Sequence, residues 1–303
     1  MEVNQILTVG EGLQWAIARF SAADIFYGHG TDNPEDEAVQ LMLYSLDIAM
    51  GDVQEIPVVH RLADDEKRRF ITLVERRYKD HIPVPYLIGE AWFAGLPFFV
   101  DDRVLIPRSP IAELIDYGFE PWLQDQPISH VLDLCTGSGC IGIACAYLFE
   151  KAQVDLADLS QDALAVAQAN IARHQLQARV NVIESDVFDN LAGRQYQLIV
   201  SNPPYVDQQD FLAMPREYQH EPALALASGE DGLDITRRIL TDAPEYMVDD
   251  GLLVVEVGNS WVNLEAAFPS VPFTWLAFER GGHGVFVFTK KELLRYQSDF
   301  NVS

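Results

Sequence analysis

The stretch Val131-Leu132-Asp133-Leu134-Cys135-Thr136-Gly137-Ser138-Gly139-Cys140-Ile141-Gly142 decides the fold. An apolar run ends, small residues follow that let the backbone approach a ligand, and a second apolar run begins. Gly137, Gly139 and Gly142 match G-x-G-x-x-G, the strand–turn–helix pattern that receives a nucleotide-containing cofactor. Downstream, runs at 130–135, 154–159, 180–184, 195–201, 251–257, 273–278 and 284–289 read as strands. Residues 162–174 and 233–246 read as helices among them. Such alternation predicts a parallel sheet with helices on both faces. Only Glu279-Arg280-Gly281-Gly282-His283 joins the last two runs. That is too short for a crossover helix, so these two strands are expected to pair antiparallel.

Upstream of the loop the period changes. Leu13, Trp15, Ile17, Ala18 and Phe20, then Ala38, Leu41, Met42, Ser45, Leu46 and Ala49, fall on a helical pattern. Pro34 followed by Glu35, Asp36 and Glu37 reads as a helix start with acids in the first turn. Residues 64–78 read as a third helix, with Glu66, Phe70, Leu73 and Val74 at turn spacing and Arg68, Arg69, Arg76 and Arg77 outward. Residues 91–100 read as two short strands around a Gly/Pro turn, and Val104-Leu105-Ile106 as a third short run. Ser109 is placed to cap a helix whose first residue is Pro110. The expected domains are a helical one at 1–87, a β-hairpin connector at 88–108 and an α/β domain at 109–303.

Composition narrows the function. The 303 residues are 49% hydrophobic and 22% charged, ordinary globular values that exclude wholesale disorder. No run approaches a membrane-spanning length, and Met1–Gly10 lacks the basic and long apolar segments of a secretory signal. Cys135, Cys140 and Cys145 form no disulfide framework, and a spacing of five is poor metal-ligand geometry; buried thiols in a cytoplasmic protein are expected. Net charge is −25, from 21 basic and 46 acidic residues. That acidity opposes binding of duplex nucleic acid and permits a basic protein partner; solubility alone is the alternative reading.

The glycines alone admit NAD or S-adenosylmethionine, since both carry an adenosine with free ribose hydroxyls. Asp133 favours the second: a carboxylate before the loop repels a pyrophosphate and welcomes a cationic amino group. A loop-capping carboxylate is the alternative reading of Asp133. Asp158, ending the next strand, is placed for ribose hydroxyls, and Asp186, followed by Val187, for an adenine amino group.

A buried strand then runs directly into Asn202-Pro203-Pro204-Tyr205. The prolines fix φ and remove two backbone donors, so the loop offers carbonyls and little else. The Asn202 side-chain carbonyl and the Pro203 backbone carbonyl can each accept one N–H of a planar –NH₂ group, with Tyr205 as an aromatic wall. An amide or aryl-amine nitrogen is a poor nucleophile because its lone pair is delocalised. Two acceptors gripping both hydrogens orient it and favour developing positive charge, with no metal and no strong base.

These residues carry a resemblance. The Asn-Pro-Pro-Tyr loop with residues 133–139 resembles the amino-group methyltransferases of the class I S-adenosylmethionine fold, and within them the protein-(glutamine-N5) methyltransferases. Val104-Leu105-Ile106-Pro107-Arg108, Glu221-Pro222-Ala223-Leu224-Ala225-Leu226 and Gly229-Glu230-Asp231-Gly232-Leu233 support it. The release-factor branch usually carries Pro-Arg-Pro-Asp-Thr-Glu at the connector and glycine at the position of Cys135. Pro107-Arg108-Ser109-Pro110-Ile111-Ala112-Glu113, His220-Glu221-Pro222 and residues 278–286 are instead similar to the branch that methylates a glutamine of the large-subunit ribosomal protein L-three.

The resemblance implies a seven-stranded, Rossmann-like class I methyltransferase domain, preceded by a helical domain that recognises the protein substrate. It implies S-adenosylmethionine held by Asp133, Cys135, Thr136, Gly137, Ser138, Gly139, Asp158, Asp186, Val187 and Asn202. Catalysis falls to Asn202, Pro203, Pro204 and Tyr205. Arg108 either orients substrate or pairs with an acid, and Glu221 either lines the substrate cleft or caps the loop. A release factor is the alternative substrate. A DNA adenine methyltransferase, an NAD-dependent oxidoreductase and a non-catalytic ribosome-assembly scaffold are the more distant alternatives.

Overall fold

A computed structural model describes residues 6–50, 58–124 and 126–301. Met1–Gln5, half of the N-terminal stretch considered above, lie outside the described residues. The chain divides into two compact units: residues 1–91 with 215–220, and residues 92–214 with 221–303.

The first unit holds helices Val9–Ala22, Pro34–Ser45, Asp64–Asp80 and Val84–Ile88. Thr8 and Glu11 form a reciprocal capping box, and Asn33 caps the helix that opens on Pro34. Trp15, Phe20, Leu41, Met42, Phe70 and Val74 meet in its core. Ala18 is exposed while Ala16 is buried, and Ala49 lies beyond the end of its helix. Arg77 is not outward: it is 1% exposed, with Nε 2.7 Å from Glu37 Oε2 and Nη1 3.1 Å from Glu217 Oε1. Its partners come from distant positions, Glu217 from the short 3-10 turn Arg216–His220, so helical spacing alone carried no sign of them.

Strands β1 (Glu90–Phe93) and β2 (Leu96–Phe99) form the expected hairpin. Ala94 and Gly95 between them both have positive φ, as the tight primed turn requires. Val104 and Ile106 are buried but form no strand. The following helix starts at Ile111, one residue later than expected, and the Ser109 hydroxyl accepts from Ile111 N–H.

The second unit is built on a seven-stranded sheet of β3 (His130–Leu134), β4 (Gln153–Asp158), β5 (Val180–Glu184), β6 (Tyr196–Ser201), β7 (Met247–Glu256), β8 (Thr274–Trp275) and β9 (Val285–Thr289). Their order is β5-β4-β3-β6-β7-β9-β8. The first five strands run parallel; β9 is antiparallel to β8, as the short last connection demanded, and also to β7. β8 is only two residues long, shorter than its apolar run suggested.

Strand alternation splits the core between the two faces. Leu198, Val200, Leu252, Val254, Val285 and Val287 pack on one face. Ile199, Leu253, Val255, Phe286 and Phe288 pack on the other. The strand order reverses beside β3: β4 lies on one side and β6 on the other. Helices therefore leave in opposite directions there, opening a crevice beyond the carboxyl ends of β3 and β6.

Candidate active site

A cleft open to solvent lies at that crevice. Its walls include Cys135 and Gly137 after β3, Asp158 at the end of β4, Asp186 and Val187 after β5, and Asn202 and Pro204 after β6. Four separate segments of the sequence reading converge on this one place. Asp133, Thr136, Ser138, Gly139, Pro203, Tyr205, Arg108 and Glu221 are not among its lining residues.

The glycine loop is shaped by left-handed residues: Cys135, Gly137 and Gly139 have φ of +57°, +55° and +83°. Behind it, Asp133 Oδ2 accepts from Thr136 Oγ1 at 2.5 Å and from Gly142 N–H at 2.8 Å. One oxygen of Asp133 is therefore the loop-capping carboxylate of the alternative reading. Its buried Oδ1 has no hydrogen-bond partner among the described residues. Burial pushes the Asp133 pKa up to about 7, against the pull of Thr136 and Gly142. Gly142 is required by packing: a Cβ there would stand 2.2 Å from Leu156 Cδ2. Asp158 ties the loop to β4, accepting from Gly137 N–H and Ser160 N–H at 2.9 Å each. Burial raises its pKa as well. All three cysteines are free, and burial holds their thiols well above the ordinary value.

On the third wall, Asp186 Oδ1 is 2.6 Å from Arg238 Nη1, and Arg238 Nη2 reaches the Asp186 carbonyl at 3.2 Å. Val187, a β-branched residue, is held at φ +52°, a conformation rare for its type. The Ser185 hydroxyl donates to Val187 O at 2.8 Å and helps keep it there.

Asn202 follows β6, whose last residue, Ser201, donates through Oγ to Leu134 O at 2.8 Å and fastens the two strand ends together. Asn202 Oδ1 is buried and has no hydrogen-bond partner among the described residues. Tyr205 is not among the lining residues. Its hydroxyl donates to Glu256 Oε1 at 3.1 Å, its carbonyl accepts from Ser260 Oγ at 2.5 Å, and its ring lies on Gly258. Arg108 and Glu221 are joined to each other by paired contacts of 2.5 and 2.6 Å, and Glu221 Oε1 also accepts from Ile106 N–H. Of the readings open for those two residues, the acid pair and the loop cap are the contacts present.

A lining of apolar surface with two acids and an unsatisfied amide oxygen suits a ligand with an adenosine moiety and a cationic chain. Residues 119–229 match the family model described as "Methyltransferase small domain". The curated protein of Francisella tularensis named "Ribosomal protein uL3 glutamine methyltransferase" is 50% identical over 299 residues, covering 98% of this chain and 95% of that protein. Its namesake in Neisseria gonorrhoeae is 45% identical over 292 residues, covering 96% and 97%. The chain belongs to this family of glutamine methyltransferases. The crystal structure titled "hMettl16 catalytic domain in complex with MAT2A 3'UTR hairpin 6" aligns with TM-score 0.51 at 14% identity, over 78% of this chain and 87% of that one. At that identity it speaks for the class I methyltransferase fold alone.

Within this methyltransferase, the sequence reading missed two residues that brace the cleft. Arg238, on helix Asp234–Tyr246, holds Asp186. Glu256, the last residue of β7, is 3% exposed. Its signal was available: an acid directly after Leu252-Leu253-Val254-Val255 must be buried at a strand's carboxyl end. Burial pushes its pKa up to about 7, against hydrogen bonds from Ser109 and Tyr205 and the nearby charge of Arg108.

Proposed function

We propose that this chain methylates the N5 side-chain amide nitrogen of a glutamine in the large-subunit ribosomal protein uL3, with S-adenosylmethionine as donor. The observation that carries this reading is Asn202: it lines the cleft, directly follows the central strands, and keeps a buried amide oxygen with no partner. A buried acceptor left unsatisfied costs about 1–3 kcal/mol. A substrate –NH₂ group would recover that cost on binding. The names and near full-length identity of the two relatives support uL3 as the source of the glutamine.

S-adenosylmethionine supplies a methyl group on a positively charged sulfur. Asp133, behind residues 135–139, offers negative charge and a spare oxygen toward a cationic chain. Asp158 is assigned to ribose hydroxyls, and Asp186 with Val187 to the adenine edge. Asn202 and the Pro203 carbonyl orient the acceptor nitrogen, while Pro203 and Pro204 keep the loop from relaxing away. Arg108 and Glu221 act as a pair that shapes the substrate side. The helical domain at 1–87 serves substrate recognition, with the hairpin at 88–108 as connector. A net charge of −25 supports attraction of a basic ribosomal protein in the cytoplasm and argues against a DNA substrate.

The test is incubation with radiolabelled S-adenosylmethionine and either purified uL3 or a purified release factor. Label on a single glutamine of uL3 is expected. Asn202→Ala should lower kcat about 100-fold, as when an acceptor used in the transition state is lost. Cofactor affinity should stay within about twofold. Label on the release factor alone would replace the substrate and keep the chemistry, and no label on either would overturn the reading.

A further inference from the structure

We propose that Glu256 is a positioning residue for the catalytic loop, holding Tyr205 by its hydroxyl so that the Asn202–Pro203 acceptors keep their place; this rests on the methyl-transfer reading above. The starting point is a carboxylate where the core should be apolar. Glu256 ends the run Leu252–Val255 and is 3% exposed. A buried carboxylate is tolerated only when donors satisfy it. The described partners are two hydroxyls: Ser109 Oγ at 2.6 Å from Oε2 and Tyr205 OH at 3.1 Å from Oε1.

The tyrosine is gripped at its other end too. Ser260, three residues past Val257, donates through Oγ to the Tyr205 carbonyl at 2.5 Å. Between these two contacts, Gly258 passes beneath the ring, so close that a Cβ would stand 2.5 Å from Tyr205 Cε2. Gly232 closes the remaining side, where a Cβ would stand 2.2 Å from the Tyr205 carbonyl oxygen. One short segment, 256–260, thus fixes head, body and backbone of a single side chain.

Tyr205 lies three residues from Asn202, and the two between are prolines with φ already set. The near end of the loop is anchored by Ser201 on Leu134. Fixing Tyr205 anchors the far end, and little freedom remains between. Glu256 therefore acts on the reaction through geometry without touching the substrate. A shift of about 1 Å in a positioned group costs on the order of 100-fold in rate.

The experiment combines kinetics with hydrogen exchange on the full chain. Glu256→Ala should lower kcat by about 30- to 100-fold while KM for the protein substrate and cofactor affinity stay within about threefold. Tyr205→Phe should lower kcat about tenfold or more. The double variant should be no slower than Glu256→Ala, because both act on one contact. Glu256→Gln, which can still accept from Tyr205 and donate to Ser109, should recover most of the rate. Independently of any activity, amide exchange of a peptide spanning 199–211 should quicken in Glu256→Ala and not in Glu256→Gln. Multiplicative losses in the double variant, or unchanged exchange across 199–211, would overturn the assignment. Absence of transfer by the unmodified chain would overturn the methyl-transfer reading, and the exchange result would still decide whether Glu256 holds the loop.

Discussion

Replacing Arg77 by methionine would remove the guanidinium that joins two buried acids, Glu37 and Glu217, and would leave His81 Nδ1, 3.0 Å from Glu217 Oε1, as the basic group described beside them. The guanidinium makes contacts of 2.7 and 3.1 Å to Glu37, 3.1 Å to Glu217 and 2.8 Å to the Phe26 carbonyl. Glu37 and Glu217 are 2% and 1% exposed, so water cannot take over. Breaking a buried pair by removing one partner costs about 3–5 kcal/mol, far more than a surface pair returns. A unit of this size loses roughly 4–8 °C in Tm per kcal/mol, so the helical unit should melt at least about 12 °C lower. The relief is also specific. Burial raises the pKa of Glu37, and Arg77 opposes that rise. With the cation gone the pKa climbs further, so the deficit shrinks as pH falls and Glu37 takes a proton. Glu37→Gln in the same variant should recover part of the loss. The assay is the first thermal transition by circular dichroism at pH 5 and pH 8. Hydrogen exchange should localise the damage to 64–80 and 215–220. A shift below about 4 °C at pH 8, or equal deficits at both pH values, would refute the reasoning.

Gly142→Ala sets a helix-propensity gain of about 1 kcal/mol against overpacking of about 1–3 kcal/mol on the buried Leu156, so a net loss near 1 kcal/mol is expected from urea midpoints. Gly137→Ala meets no atom within 4 Å, and its cost of about 1–2 kcal/mol comes from the left-handed φ of +55° alone. An acid whose folded pKa of about 7 exceeds its unfolded value of 3.8 holds its proton more tightly when folded, so its stability contribution is present at low pH and lost as pH rises through 7. Asp133→Asn should therefore gain on the parent between pH 5 and 8 by on the order of 2–3 kcal/mol in urea titrations, and an unchanged difference would contradict the buried carboxylate. Arg238→Met should change Tm by under about 2 °C, because its pair with Asp186 is partly exposed. Cofactor affinity measured by calorimetry should fall severalfold, and an unaltered affinity would detach Asp186 from the cofactor.

Local sequence carried the fold where one physical rule dominated. Alternating strands and helices, a glycine loop and a connection too short for a crossover were enough to place the sheet, its ligand crevice and its antiparallel end. The cleft-lining acids were readable because each follows a strand. What the sequence concealed depends on partners far along the chain. Arg77 has helical spacing typical of a solvated face, and only Glu37 and Glu217 make it internal. Tyr205 was read from its motif as an aromatic wall for the acceptor group, and its contacts with Glu256, Gly258 and Ser260, more than fifty positions away, had no local sign. Arg108 and Glu221 were each read as candidates, and their mutual pairing spans 113 positions that no local pattern connects.

The position of β9 between β7 and β8 has a consequence for how the protein is made. Synthesis delivers β7 about thirty residues before the strand that covers its edge, and β8 has no place in the sheet until β9 arrives. A nascent chain paused before Gly284 presents β7 as an open edge lined by Leu252, Leu253, Val254 and Val255, the kind of surface that recruits other strands. Phe286 and Phe288 also complete the aromatic packing against Phe273, Trp275 and Phe300. Loss of residues 284–303 would therefore strip an interior strand and remove Phe286, Phe288, Leu293 and Phe300 from one core face, leaving β7 as an open edge.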